Sequence, residues 1–382
     1  MRIGIDARFF SEAGVGRYIR NLLYYLQELD STNEYFILLR KVDFETIHFK
    51  SKNFTPILAD ISWYGLAEQV ELPKILYSLK LDLVHFPHFN IPVFYHGKFV
   101  VTIHDLIHQK FKMKRATTRD PLTYFIKQKA YNYAFATALK KSEKIITVSD
   151  YVEHELIDQW KVDAKKLVVT KEGVENQLIK RAKTCTDLKM EQTLKKYSIK
   201  KPFIFYVGNA HPHKNVEGLI DAFLILRKKY QYLQLVLSGN GHYFWDRIRG
   251  DFLDSRLAKN DVVRKNIIFT GFISDDELVA LYKSSQVYVV PSFEEGFGIP
   301  LLEAMACGTP VVASNTSATP EIGGDAALYF NPHSSEDMAL KISTVLNSNV
   351  LQKDFVEKGK QRIKEFSWEK MAEQTLDVYL GH

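Results

Sequence analysis

The sequence predicts an α/β protein of two doubly wound domains, each a mostly parallel β-sheet with helices on both faces. Three observations predict it. A chain of 382 residues exceeds what one hydrophobic core normally supports and suits two domains of about 180 residues each. Short apolar runs alternate with longer helical patterns, the rhythm of right-handed βαβ units. That rhythm stops at a polar stretch, TCTDLKMEQTLKKYSIKK, and restarts after it.

The first round opens with RIGIDA as a strand and GRYIRNLLYYLQEL as a helix, then adds EYFILL, LVHF, FVVTIHD, KIITVS and LVVT as strands. The second round takes FIFYVG, LQLVLSG, NIIFTG, VYVVPS and TPVVAS as its strands. The expected domains are therefore residues 1–185 and 186–382, divided within the polar stretch. Near the end Ser367 is placed to cap a helix over about 367–380, in which Trp368, Met371, Leu376 and Tyr379 form an apolar stripe. Such a stripe can dock on either domain.

Composition narrows the class. With 46% hydrophobic and 25% charged residues the chain can bury two cores, which excludes a disordered protein. Cys185 and Cys307 are too few for a disulfide framework and fit a reducing compartment. A strand pattern begins with the first residues, so no export leader is expected, and no apolar run approaches the roughly 18 residues of a membrane span. The expected location is the cytoplasm.

Net charge is +6, and splitting the chain at residue 199 gives +8 before and −2 after. Residues 108–141 carry nine Lys and Arg against the single acid Asp120, interleaved with Phe, Tyr and Leu. The segment reads either as a solvated helix face with a loop or as a contact for a membrane or another polyanion.

The most informative segment is PSFEEGFGIPLLEAMACGTPVVAS. A strand is expected to end at Ser292, a loop to hold Glu295, Gly296, Phe297 and Gly298, and a helix to start near Pro300 and stop before Gly308. Glycines at the positive end of a helix dipole favour a bound diphosphate. Glu303, about one turn in, can accept hydrogen bonds from the two hydroxyls of a ribose, and Glu295 on the loop is placed for a sugar. Elsewhere, Asp275 and Asp276 lie within an S-x-x-E capping box, Ser274 to Glu277, and read as helix capping in place of metal binding. Without a Cys/His cluster no essential metal is expected. Gly14-Val15-Gly16 lacks the third glycine of a dinucleotide fingerprint, which argues against a nicotinamide cofactor.

This segment resembles the E-x7-E signature of the large retaining glycosyltransferase family 4, whose GT-B fold sets two Rossmann-like domains across a central cleft. YVGNAHPHKN is similar to that family's phosphate loop, GFISDDELVALYKSS to its base-contacting segment, TPEIGGDAALYFNP to its late loop, EAGVGRYIRNLL to its glycine loop and VVTIHDL to its strand-end histidine. EQVELPKILYSLKLDLVHFPHFNIPVF is most similar to bacterial mannosyltransferases of polysaccharide assembly. The resemblance implies that Lys214 contacts the donor diphosphate, Glu303 the ribose, Glu295 the transferred sugar and His104 the same sugar from the opposite domain. It adds Gly16, Asn209, Ile273, Gly296, Phe297, Gly298 and Ile299 as donor-binding residues. One departure stands out: many relatives carry Arg after the phosphate-loop glycine where this chain has Asn209, leaving His211 or His213 as candidate replacements.

The resemblance thus implies transfer of a hexose, mannose from GDP-mannose favoured, with retention, to a glycan or a lipid-linked acceptor on the N-terminal domain. The donor is a co-substrate and no cofactor or nucleic-acid partner is expected. Retention admits a covalent route through a carboxylate or a front-face route, which needs only a positioned acceptor and a stabilised leaving diphosphate. Two rival classes share the architecture: a nucleotide-sugar epimerase, against which the E-x7-E loop argues, and a non-catalytic binding subunit, against which the set Glu295, Glu303, Lys214 and His104 argues. The basic segment 108–141 implies a peripheral position on the inner face of a membrane.

Overall fold

The computed structural model describes residues 1–110, 121–239, 241, 243–252 and 264–382, leaving out the side chains of 121–128 and 251–252. Contacts divide the chain into two compact units, Met1–Glu172 with Ser367–His382 and Gly173–Phe366.

The first unit holds a seven-stranded sheet in the order β3-β2-β1-β4-β5-β6-β7, every pair parallel. Its strands are β1 (Arg2–Asp6), β2 (Glu34–Leu39), β3 (Phe54–Leu58), β4 (Leu83–Phe86), β5 (Phe99–Ile103), β6 (Lys144–Thr147) and β7 (Leu167–Val169). The second unit holds a six-stranded parallel sheet in the order β10-β9-β8-β11-β12-β13. Its strands are β8 (Phe203–Val207), β9 (Gln234–Ser238), β10 (Ile267–Gly271), β11 (Val287–Val290), β12 (Val311–Ser314) and β13 (Ala327–Phe330). Helices cover both faces, so central strands such as FVVTI, QLVLS and VYVV are buried at every residue and read as mostly apolar runs without alternation. Each sheet reverses its strand order once, between β1 and β4 and between β8 and β11. Loops leaving the carboxyl ends of strands at such a reversal flank the crevice where α/β proteins bind ligands.

Two edge strands escape the sequence pattern. Pro56 in the middle of β3 reads as a strand breaker, yet β3 is an edge strand and proline is tolerated there. β13, ALYF, is the opposite case: a four-residue edge strand inside a segment read as a loop.

The division between units falls at 172/173, whereas the sequence reading put it at 185/186. Helices Asn176–Thr184 and Asp187–Lys196 belong to the second unit because Arg181 and Lys189 bind Asp276 at 2.6 and 2.5 Å. Helix Trp368–Leu380 belongs to the first unit. Ser367 caps it, accepting a hydrogen bond from the Lys370 amide at 3.3 Å, and Trp368, Met371 and Tyr379 are buried. Tyr379 Oη lies 2.5 Å from His85 Nδ1, and His85 Nε2 lies 2.8 Å from Thr102 Oγ1. Burial pushes the His85 imidazole down to about 3, with the charge of His104 adding to the effect, so the ring is neutral in the folded protein.

A buried ionic cluster closes the carboxyl end of β1. Arg8 bonds Asp6 at 2.7 Å and Glu68 at 2.6 Å, and Asn90 Nδ2 donates to Glu68 at 2.7 Å. Burial opposes the Arg8 charge, but the two carboxylates outweigh it and raise the guanidinium's pKa. The cluster joins the loops that follow β1, β3 and β4 at the sheet's carboxyl edge. Among the described residues no helix is long and apolar enough to cross a membrane.

Candidate active site

In the second unit the loops after β8 and β11, the two strands at the reversal, are stitched together. After β8 the chain makes a tight turn at Pro212–Lys214 and Asn215 adopts a left-handed conformation, φ 53°. Asn tolerates that region better than most residues, and here its amide earns the position by donating to the carbonyls of Pro291 at 3.0 Å and Pro332 at 2.9 Å. The Phe293 amide donates to the His213 carbonyl at 2.8 Å.

This stitching brings Lys214 onto Glu295. Lys214 Nζ lies 2.7 Å from both Glu295 carboxylate oxygens, and Ser292 Oγ donates to one of them at 2.6 Å. The Glu295 amide donates to Ser317 Oγ at 3.0 Å, which fixes the loop from the β12 side. Gly298 then takes a left-handed conformation, φ 98°, and helix Ile299–Ala306 follows with Pro300 in its first turn and Gly308, φ 74°, just beyond its end. Glu303, one turn in, is buried and accepts from Tyr282 Oη at 3.2 Å. Burial, with nearby Tyr288 and Glu303, pushes the Tyr282 phenol far up, so Tyr282 stays a neutral donor. Burial likewise raises the Cys307 thiol, which makes it no nucleophile.

The other expected donor residues spread along the same edge. Gly296 and Phe297 share the loop with Glu295, and Phe297 is buried edge-on against Phe366. Asn209 is exposed, its carbonyl accepting from Tyr206 Oη at 2.6 Å and its side chain from the His211 amide at 3.3 Å. His211 and His213 stack nearly parallel, centroids 5.8 Å apart, and His211 also packs on Phe244. Ile273 follows β10, which β9 separates from β8. Next to it, the capping box over Ser274–Glu277 is complete, and Asp276 is held by Arg181 and Lys189. Among the described residues no group of three His, Cys, Asp or Glu side chains forms a metal site.

In the first unit His104 follows β5. Its Nε2–H donates to the Pro87 carbonyl at 2.9 Å, and Nδ1 faces Glu172 at 3.5 Å. Because a carbonyl only accepts, Nε2 must carry a hydrogen in this arrangement. Tyr18 meets the ring edge-on at 4.9 Å. Gly16 lies in the first turn of helix Gly14–Leu29, where a Cβ would stand 2.5 Å from the Phe10 carbonyl and 2.7 Å from that of Phe9. Its bareness permits this close approach. Ser292, Ser317, Tyr282 and Glu172 were not singled out in the sequence. Ser292 and Tyr282 stand inside quoted motifs; the bond of Ser292 to Glu295, three residues on, is local, whereas Tyr282, Ser317 and Glu172 meet their partners only through the fold.

Within the basic segment 108–141, residues 111–120 and the side chains of Tyr124 and Phe125 lie outside the described residues. Lys110 is described and is engaged inside the unit, paired with Glu155 and donating to Tyr151 Oη at 2.6 Å.

The pattern of the family described as Glycosyltransferase Family 4 matches residues 13–178, and that of Glycosyl transferases group 1 matches residues 189–362. The chain is 30% identical to O-antigen chain mannosyltransferase B of Escherichia coli over 305 residues, 78% of this chain and 74% of that one. The chain belongs to glycosyltransferase family 4. This family 4 glycosyltransferase is accordingly an enzyme, and it is also 25% identical to O-antigen chain mannosyltransferase RfbU of Salmonella typhimurium, over 76% of this chain and 72% of that one. The crystal structure of Anabaena Alr3699/HepE in complex with UDP and glucose superposes with a TM-score of 0.75 at 16% identity, covering all of both chains. The two doubly wound sheets are those of the GT-B fold.

Proposed function

We propose that the enzyme transfers a mannosyl group from GDP-mannose to a glycan or lipid-linked acceptor in polysaccharide assembly, with retention of configuration. The observation that carries the reading is the meeting of Lys214 and Glu295 at the sheet reversal, on the loop that leads into the helix of the buried Glu303. Both relatives named above are mannosyltransferases.

In this reading Lys214 and the amides at the start of helix Ile299–Ala306 hold the donor diphosphate and stabilise it as it leaves. Glu303 takes the ribose hydroxyls, while Glu295 takes those of the sugar. His104 is the first unit's candidate for a sugar contact. Gly16, Asn209, Ile273, Gly296, Phe297, Gly298 and Ile299 complete the donor contacts. A covalent route would need a carboxylate at the anomeric face, whereas this reading gives Glu295 to the sugar hydroxyls and supplies, through Lys214 and the helix amides, a stabilised leaving diphosphate. That favours the front-face route, in which the departing diphosphate itself takes the acceptor proton.

No metal enters this reading, and the enzyme acts on the cytoplasmic side of a membrane. The test combines nucleotide melting shifts with labelled transfer. At equal concentration GDP should stabilise the protein more than UDP or ADP, and at a hundred times its Kd it should add roughly 2.7 kcal/mol over the nucleotide-free protein. Label from GDP-mannose should move only when an acceptor is present, and a chelator should leave transfer intact. Label released or rearranged without acceptor, or activity that returns only with a divalent ion, would overturn the corresponding part of the reading.

A further inference from the structure

We propose that the outer face of helix Leu66–Ser78, with Phe94 beside it, is an insertion surface for an anionic lipid bilayer. This helix buries Glu68, Leu72, Pro73 and Leu76 against its own unit, Pro73 lying at the inner border of the face described next. A helix on a globular surface normally turns polar side chains outward. Here Leu66 is 88% exposed, Val70 52% and Tyr77 51%. At 100° per residue these three positions fall within about 40° of one another, so they form one stripe along roughly 17 Å of helix.

The stripe is widened by the loop between β4 and β5. Gln69 accepts from the Val93 amide at 2.7 Å and donates to the Ile91 carbonyl at 3.4 Å, and Tyr77 Oη accepts from the His96 amide at 2.9 Å. These bonds hold the loop along the helix, and Phe94 at its crest is 61% exposed. Four large apolar side chains thus form one patch on a single unit, which is more than the scattered exposure expected of any protein surface.

Charge selects the occupant. Lys74 flanks the stripe on the helix, exposed Lys98 lies four residues beyond Phe94, and Lys141 donates to the Val93 carbonyl at 3.1 Å with exposed Lys140 next to it. The exposed carboxylate of the helix, Glu71, lies about 120° around the helix from the middle of the stripe. An apolar strip bordered by lysines fits acyl chains beneath anionic headgroups. The inference is independent of residues 111–120; it deepens the lipid-linked acceptor reading and rests on it only for the reason to be at a membrane.

The test uses the full chain with vesicles of phosphatidylcholine and with vesicles of equal parts phosphatidylcholine and phosphatidylglycerol. Wild type should sediment with the mixed vesicles and far less with the neutral ones. The double variant Val70→Asp/Phe94→Asp should lose at least about tenfold in partitioning, since it sets two carboxylates in the apolar strip. Leu340→Asp, on the second unit and 61% exposed in wild type, should bind as wild type does. A far-UV circular dichroism spectrum and a two-unit melting profile like those of wild type would show the double variant folded in its first unit, and because vesicle binding is read without donor or acceptor, its outcome is separate from that of the transfer reading. The proposal is overturned if wild type ignores anionic vesicles, if the double variant binds as well as wild type, or if the stripe instead holds two copies together, seen as a wild-type dimer that the double variant dissolves.

Discussion

Lys214 and Glu295, 81 residues apart, meet end-on, with one ammonium nitrogen 2.7 Å from both oxygens of one carboxylate. The pair is largely sheltered, the side chains being 20% and 11% exposed. A diphosphate arriving at Lys214 competes with this carboxylate, so donor binding and the freeing of Glu295 for a sugar are linked.

Lys214→Ala should weaken nucleoside diphosphate and nucleotide sugar alike by roughly tenfold to a hundredfold, while a nucleoside monophosphate binds nearly as before. Calorimetric titration of the three ligands checks this. Equal losses for all three would remove Lys214 from the diphosphate.

Glu295→Gln keeps the shape but not the charge, so Lys214 is released toward phosphate and donor affinity should hold or rise. Turnover should fall much further than affinity, because the contact matters as the sugar–phosphate bond breaks. Steady-state kinetics with a direct Kd separates the two, and wild-type turnover would exclude Glu295 from the chemistry.

Glu303→Ala should cost about 1.5 to 3 kcal/mol of donor binding through lost charge-assisted hydrogen bonds. Tyr282→Phe removes only the group behind Glu303 and should cost less. Titration of both variants with nucleotide sugar decides it, and an unchanged Kd for Glu303→Ala contradicts the ribose role.

His85 makes the first unit sensitive to acid. An unfolded histidine takes a proton near pH 6.5, whereas the buried ring resists until about 3. The unfolded chain therefore binds the extra proton first, and stability falls by about 1.4 kcal/mol per pH unit between those limits. Relative to His85→Gln, wild type should lose about 2 kcal/mol on going from about pH 7.5 to about pH 5 in urea unfolding. Parallel curves for the two proteins would show that the ring is not held neutral.

Gly16→Ala sets a methyl group against two backbone carbonyls and should destabilise by about 1 to 3 kcal/mol. Gly14→Ala is its control, since nothing lies within 4 Å of a Cβ there. Melting temperatures of the pair test the claim, and equal values would mean that the loop after β1 gives way freely.

What the sequence made legible was mostly local. The capping residues Ser274, Glu277 and Ser367 and the glycine stop at Gly308 are settled within four residues, and each was readable. Buried parallel strands announced themselves as apolar runs, whereas β3 and β13 sit at sheet edges where a proline or a short run is tolerated. Glu295 and Lys214 were both readable as site residues, but their contact was not, because it depends on β8 and β11 being neighbours. Similarly, only the fold shows Glu172 behind His104. The division of the units falls ahead of the polar stretch because helix Asn176–Thr184 before it and helix Asp187–Lys196 within it both carry cations that pair with Asp276 far downstream.

Helix Trp368–Leu380 returns to the unit that the chain begins, and its Tyr379 reaches the buried His85. A ribosome therefore delivers the second unit whole before it delivers the last piece of the first. Until then Tyr18, His85 and their neighbours lack the cover of Trp368 and Tyr379, and the nascent first unit must wait, open on one flank, for the length of nearly two hundred further residues. The unit whose strands come earlier along the chain is thus closed only after the later unit has been made, which ties its quality to the thirteen-residue helix Trp368–Leu380.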